Sequence, residues 1–360
     1  MADRNNLSVK IDYLTIIFEK MNADILISEV LRIPIDYFSV QEATVRYKNY
    51  TKLYQFGEIK VYGDSEATDK NRYGLGCFLV LGGKGCDELY AWLERANKSY
   101  RDFFKELYQV IDTNDLHLTR IDLAIDDINY PPYFTMEQIK KKCSKGEFIS
   151  SCKSYEIIES SFLDSTAKTI YIGKGKSNLS FRFYDKDKEQ SLNLNTPYNP
   201  LNSWKRTEMQ LRDDTANSFI KLLIRSDKTL GKLTFDFLSS NVRFLVRDKN
   251  QKNKSRWKTC EFWIRYLGAV EQVTLENVEK ESSLLDTQKW LEVGGSIPAI
   301  VAFQLLEKYQ ALGDLKKIET MMSKARFSPK LSNKIVFHLH DNGREDLISL
   351  VYEYTKDIEK

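Results

Sequence analysis

A chain of 360 residues, 42% of them hydrophobic, is long enough to bury two ordinary cores, and no apolar run in it approaches the roughly 20 residues that a membrane span requires. Lys and Arg (54) nearly balance Asp and Glu (51), leaving a net charge of +3; this excludes a wholesale polycation and confines any nucleic-acid surface to local clusters. Five scattered cysteines form no C-x-x-C pair, so zinc or redox chemistry is not expected, and an amino terminus with charge but no apolar h-region points to a cytoplasmic protein.

In chain order, VKIDYLTIIFEK near the start and CFLVL (77–81) read as strands from their β-branched and aromatic content. From Cys86, CDELYAWLERANKSYRDFFKELYQVI places Leu89, Trp92, Leu93, Phe103 and Leu107 near helical spacing. The segment LTRIDLAIDD (118–127) alternates like a half-buried strand and ends at the prolines of NYPPYFT. TMEQIKKKCSKG is a short helix with Thr135 as N-cap and Gly146 as its stop. KTIYIG (168–173) and LSFRFYDK (179–186) flank a hairpin, and SWKRTEMQLR (203–212) is a further strand. Helix-like or mixed segments follow, and the pattern is mostly helical from Phe262. The expected architecture is α+β: a mainly antiparallel central sheet with flanking helices over residues 1–261, and a smaller helical part over 262–360. No internal repeat is apparent.

The strands carry unusual polar faces. Arg120, Asp122 and Asp126 project from one side of 118–127, with the two carboxylates about 13 Å apart at roughly 3.3 Å per residue. That separation is too long for easy sharing of one ion. Asp122 could instead share a divalent cation with Glu208, which lies in a face made of Arg206, Glu208, Gln210 and Arg212. A cross-strand salt-bridge ladder explains the same residues without function. In FRFYDKDKEQ, Arg182 and Tyr184 share a face with Lys186 and Lys188 close behind. A tyrosine flanked by cations beside a carboxylate-bound metal suits nucleophilic attack on a phosphodiester. Among 20 tyrosines only position can select one, and Tyr171 in TIYIGKGKSN competes with Tyr184.

These segments, together with GLGCFLVLGGKGCDEL and NKSRWKTCEFW and in this order, resemble the Rep_trans family of rolling-circle plasmid replication initiators and the related relaxases of integrative conjugative elements. The resemblance spans residues 8–300. It implies a fold like the rolling-circle nucleases and a site-specific strand transferase: a tyrosine nicks a double-strand origin, stays joined to the 5′ phosphate and frees a 3′ hydroxyl. It further implies a divalent metal (Mg2+ or Mn2+), a homodimer, a UvrD-like helicase partner and no membrane. By motif match the nucleophile falls on Tyr184, with Arg182 and Lys188 beside it, and the metal carboxylates on Asp122, Asp126 and Glu208.

His338-Leu339-His340 imitates a histidine metal motif, yet it lies in a helical region outside the matched strands, and the carboxylates offer a harder site. The run VRFLVRDKNQKNKSRWK contributes Arg243, Arg247, Lys252, Lys254, Arg256 and Trp257 as a candidate DNA-binding surface, since cations hold phosphates and an aromatic can hold an unstacked base. A non-catalytic origin-binding protein is the competing reading, and the sequence does not separate plasmid initiator from conjugative relaxase. Origin choice is expected from the carboxy-terminal part.

Overall fold

The computed structural model describes residues 6–43, 50–63, 76–110, 115–162, 165–173, 177–194, 203–269, 274–275, 300–301, 304–305, 307–308, 317–327 and 329–354. Two compact units meet in sequence between Asn277 and Val278. In the first, β1 (Leu7–Phe18), α1 (Ala23–Ile25), β2 (Ser39–Glu42), β3 (Lys52–Phe56), β4 (Ile59–Gly63) and β5 (Cys77–Leu81) precede α2 (Gly83–Arg95) and α3 (Tyr100–Val110). Then come β6 (Leu116–Asp127), α4 (Met136–Ser144), β7 (Phe148–Ser150), β8 (Tyr155–Phe162), β9 (Ser165–Ile172), β10 (Leu179–Asp185), α5 (Lys186–Leu194) and β11 (Lys205–Arg212). The unit closes with α6 (Asp213–Arg225), α7 (Leu230–Asn241), β12 (Val242–Phe244), α8 (Glu261–Gly268) and β13 (Thr274–Leu275).

One sheet runs in the order β2-β3-β4-β5-β1-β6-β11-β10-β9-β8, every neighbour antiparallel, while β13 joins β1 in parallel and β7 pairs with β12 apart from it. Read outward from the β1/β6 seam, the two halves have the same plan. Each sets its first strand innermost and its last strand next, then returns through a meander to the edge, and each follows its last strand with two helices. The sequence shows no repeat, yet the topology does: the halves are related by a pseudo-two-fold axis normal to the sheet. Its trace in sequence is Lys10-Ile11-Asp12 on β1 against Arg120-Ile121-Asp122 on β6, and each cation pairs with its own aspartate.

The β1/β6 ladder has register shifts between Ile11 and Tyr13 and between Thr15 and Ile16. The first leaves Asp12 as an extra residue on β1. The second leaves Thr119 unpaired on β6, with its hydroxyl 2.7 Å from that of Thr15. A bulge reverses the alternation of faces, so His117, which simple parity sets opposite Asp122, is exposed beside Glu19 at 3.0 Å.

Helices cover one face of the site half. Phe181, Phe183, Met209, Leu211, Ile121, Leu123 and Ile125 turn inward there, against Phe134, Phe244, Trp263 and Tyr266. Trp263 stands edge-on to Phe244 at 4.8 Å, and its indole donates to the Val242 carbonyl (3.0 Å). The Tyr266 hydroxyl meets Thr207 at 3.1 Å under the sheet. Helix α8 therefore belongs to the first unit, which extends past residue 261 to Asn277. Helix α4 has the expected Thr135 cap, completed by Gln138 into a reciprocal capping box.

The second unit, described by itself, is helical over Ile318–Met322, Pro329–Asp341 and Ile348–Glu353. Phe327 packs on Tyr354 there, with ring centroids 5.7 Å apart. Among the described residues no helix is long and apolar enough to cross a membrane.

Candidate active site

The other face of β6, β11, β10 and β9 is polar, and register sets its layout. One cross-strand row reads Asp126, Arg206, Tyr184, Thr169; the next reads Ala124, Glu208, Arg182, Tyr171; a third begins Asp122, Gln210, Ser180. Asp122 and Glu208 are thus diagonal neighbours, about 7–8 Å apart in such ladders.

Tyr184 is only 2% exposed, and its hydroxyl donates to Glu208 Oε1 at 2.6 Å. The Arg182 guanidinium carbon lies 4.0 Å from its ring centroid and Lys186 Nζ 5.7 Å. Burial first, and then the charge of Glu208, push the phenol well above its ordinary value. Cations flanking the tyrosine do not offset this, because carboxylates already hold them. Lys186 is paired with Glu189 (2.5 Å), and Arg182 with Glu189 (3.1 Å) and Glu208 (3.4 Å). Lys188 is engaged elsewhere, donating to the Thr166 carbonyl at 2.7 Å.

The carboxylates divide into two kinds. Asp126 Oδ1 accepts from Arg206 Nε (2.6 Å) and the Trp204 indole (2.5 Å), and its Oδ2 from Arg206 Nη2 (2.7 Å). Both oxygens of Asp126 are thus taken up by Arg206 and Trp204, and Asp122 is forked in turn by Arg120, Nε to Oδ1 at 2.8 Å and Nη2 to Oδ2 at 2.5 Å. Burial alone would lower the Arg206 pKa, but Asp126 and Asp12 outweigh it and hold the guanidinium charged. Asp122, salt-bridged to Arg120, has its pKa raised by burial against that partner's pull, and Asp12 adds to the rise. Glu208 is raised for the same reason, burial first and the charge of Asp12 second.

Asp12 is the residue that sequence reasoning missed. Delivered by the β1 bulge, it accepts from Arg206 Nη1 at 3.0 Å and lies 3.5 Å from Lys10 Nζ. The signal was the Lys-Ile-Asp and Arg-Ile-Asp pair, legible once the two strands are known to be neighbours.

Among the described residues, no three His, Cys, Asp or Glu side chains form a ready-made metal cage. Asp12 nonetheless bears electrostatically on both Asp122 and Glu208, a repulsion between hard oxygen donors that a bound divalent cation would relieve. The carboxylate oxygens of Asp122, Glu208 and Asp12 are donors of the chemical class that suits such an ion. His338 and His340 sit on the Pro329–Asp341 helix of the second unit.

In the basic segment, two expected contacts are structural. Arg243 donates to Thr259 Oγ1 and the Trp257 carbonyl, and the Trp257 indole to the Gln251 carbonyl. Lys254 is tied to Gly146 O at 2.8 Å. Arg247, Lys252, Lys254 and Arg256 are exposed on the loop that these bonds shape.

An antiparallel sheet of this order, with helices on one face and this polar face on the other, is the architecture of rolling-circle replication initiators. The structure of the rolling circle replication initiator protein from Geobacillus stearothermophilus superposes with a TM-score of 0.61, covering 75% of this chain and 99% of that one at 23% identity. A family model described as replication initiation factor matches residues 116–331, and one described as the rolling circle replication initiation protein N-terminal domain matches 8–106. A protein of Bacillus subtilis (strain 168) provisionally named DNA relaxase NicK is 30% identical over 284 residues, 78% of this chain and 76% of that one. The chain belongs to the replication initiation factor family.

Proposed function

We propose that the protein nicks one strand of origin DNA with Tyr184, and the observation that carries this is the 2.6 Å hydrogen bond from its hydroxyl to Glu208 Oε1. The phenolic oxygen attacks phosphorus, the bond to the 3′ oxygen breaks, and a 5′ phosphotyrosine and a free 3′ hydroxyl result. Glu208 Oε1, already hydrogen-bonded to the hydroxyl, is the group placed to take the phenolic proton. Arg182 and Arg206 flank the oxygen where charge develops and would stabilise it as it forms. Asp122 and Glu208 with Asp12 would hold Mg2+ or Mn2+, which when bound supplies Lewis-acid polarisation of the phosphate.

The exposed cations of the 247–258 loop would track duplex phosphates, and the second unit is assigned origin choice. A homodimer and a UvrD-like helicase complete the reading; plasmid initiation and conjugative transfer would use the same chemistry. The test is Tyr184→Phe with supercoiled origin DNA and Mg2+ or Mn2+. The variant should form no covalent adduct while binding the origin within about twofold of the parent. An adduct that survives would move the nucleophile elsewhere, and a wild-type protein that forms none would leave an origin-binding protein only.

A further inference from the structure

Beside Glu208 on the polar face lies a cleft of about 220 Å³, lined chiefly by Arg120, Asp122, Tyr171, Gly173, Arg182 and Glu208. It is smaller than the roughly 300–1,000 Å³ of pockets that enclose whole small molecules. One end holds the carboxylates and the other the half-buried ring of Tyr171. We infer that this cleft receives one unstacked base of the cleaved strand, adjacent to the scissile phosphate, with Tyr171 as the ring on which that base stacks. The inference rests on the reading of Tyr184 as nucleophile and gives the second tyrosine a separate task.

Three observations support it. Tyr171 lies opposite Arg182 and Tyr184 opposite Thr169 across the β9/β10 ladder, so the two tyrosines are diagonal neighbours, about 7 Å apart at Cβ in such pairings. A strand placed with its phosphate at Tyr184 must therefore lead its neighbouring nucleotide across the Tyr171 position. Arg182 stands between the rings, its guanidinium carbon 4.0 Å from the Tyr184 centroid and 5.9 Å from that of Tyr171, and its buried Nε has no acceptor among the protein atoms. A base or phosphate oxygen entering the cleft, with a small shift of the guanidinium, would supply one. The cleft also offers an aromatic face together with charged donors (Arg120, Arg182) and neutral polar groups (Ser180, Gln210). That mixture suits the plane and the edge of a nucleobase better than a purely apolar or purely anionic ligand. Stacking on an aromatic is how sequence-tolerant single-strand sites hold an extruded base.

The experiment uses the full chain carrying Tyr184→Phe, in EDTA, with single-stranded origin oligonucleotides bearing 2-aminopurine at each position flanking the nick. Fluorescence should be quenched at one flanking position and restored when Tyr171→Ala or Tyr171→Leu is added; the leucine variant fills space without an aromatic face. Each should weaken binding roughly 5- to 100-fold, the usual effect of losing one stacked base. An abasic site at the quenched position should weaken the Tyr171 protein equally and the Tyr171→Ala protein no further. Tyr171→Phe, which keeps the aromatic face, should keep the quenching in the Tyr184→Phe background. Unchanged quenching in both the alanine and leucine variants, or additive losses from abasic site and substitution, would overturn the inference, as would loss of quenching in Tyr171→Phe. An adduct that persists in Tyr184→Phe would instead remove the nucleophile assignment, a failure read separately from quenching.

Discussion

At Tyr184 the surroundings keep the proton on the oxygen: burial and the charge of Glu208 oppose the phenolate, so in the proposed reaction the proton would leave only as Glu208 takes it and positive charge gathers. Glu208 is itself held above its ordinary value by burial and by Asp12. Between the unfolded value of roughly 4.3 and that raised value, the folded state binds more protons than the unfolded one. Stability therefore falls as pH rises through this window, and below it the penalty is absent. Glu208→Gln should thus melt higher than the parent at pH 7 in metal-free buffer and match it below about pH 4, while losing nicking; a lower melting point at pH 7 would contradict the assigned burial cost. Arg206 is the reverse case, a buried cation satisfied by Asp126 and Asp12. Arg206→Ala should cost about 3–5 kcal/mol in urea unfolding, because two carboxylates lose their counter-charge. At this scale Tyr184, Glu208, Asp122 and Arg182 are readable from alternation within a strand. Asp12 is not, because a bulge defeats parity, and the occupation of Asp126 depends on a strand about 80 residues away in sequence.

Elements whose apolar faces follow one period are legible: β1, β5, β6, β10, β11 and α4 fall close to where pattern and breakers place them. The strands β2, β3 and β4 escape such reading because β2 is exposed throughout and the five residues of β3 and of β4 mix apolar with polar or charged ones; β5, no longer, is legible because CFLVL is an unbroken apolar run. Helix α8 looks in sequence like the start of another region since it follows a basic loop, but the partners of its apolar face lie upstream, in Phe134, Phe183 and Phe244. Trp263→Ala should accordingly destabilise the nicking unit by about 3–5 kcal/mol, the usual cost of emptying a large aromatic site; chemical denaturation followed by tyrosine fluorescence would read it. A loss under about 1 kcal/mol, far below that usual range, would place α8 outside that core.

For the molecule as a whole, the unit boundary at Asn277 means that a fragment of residues 1–277 should unfold in a single transition, whereas 1–261, deprived of α8 and β13, should not fold cooperatively. Differential scanning calorimetry distinguishes the two. Neutralising Lys252, Lys254 and Arg256 together should weaken duplex binding for every sequence and reduce the slope of log K against log salt by about 2–3, at roughly 0.9 for each phosphate that is no longer neutralised; titrations at several salt concentrations supply the slope. The doubled plan of the sheet escapes sequence reading because topology can persist where only one short pair of segments, Lys10-Ile11-Asp12 and Arg120-Ile121-Asp122, still shows kinship.

The seam of that doubled sheet also limits how the protein can be divided or recombined. Asp12 comes from the half without Tyr184, yet it bonds to Arg206 and raises Glu208 in the other. The matched segments 8–106 and 116–331 are therefore not two exchangeable modules. A chimera of relatives joined between them would splice the proposed reaction centre itself, and its activity would report whether two strands with separate histories still agree on a single charge.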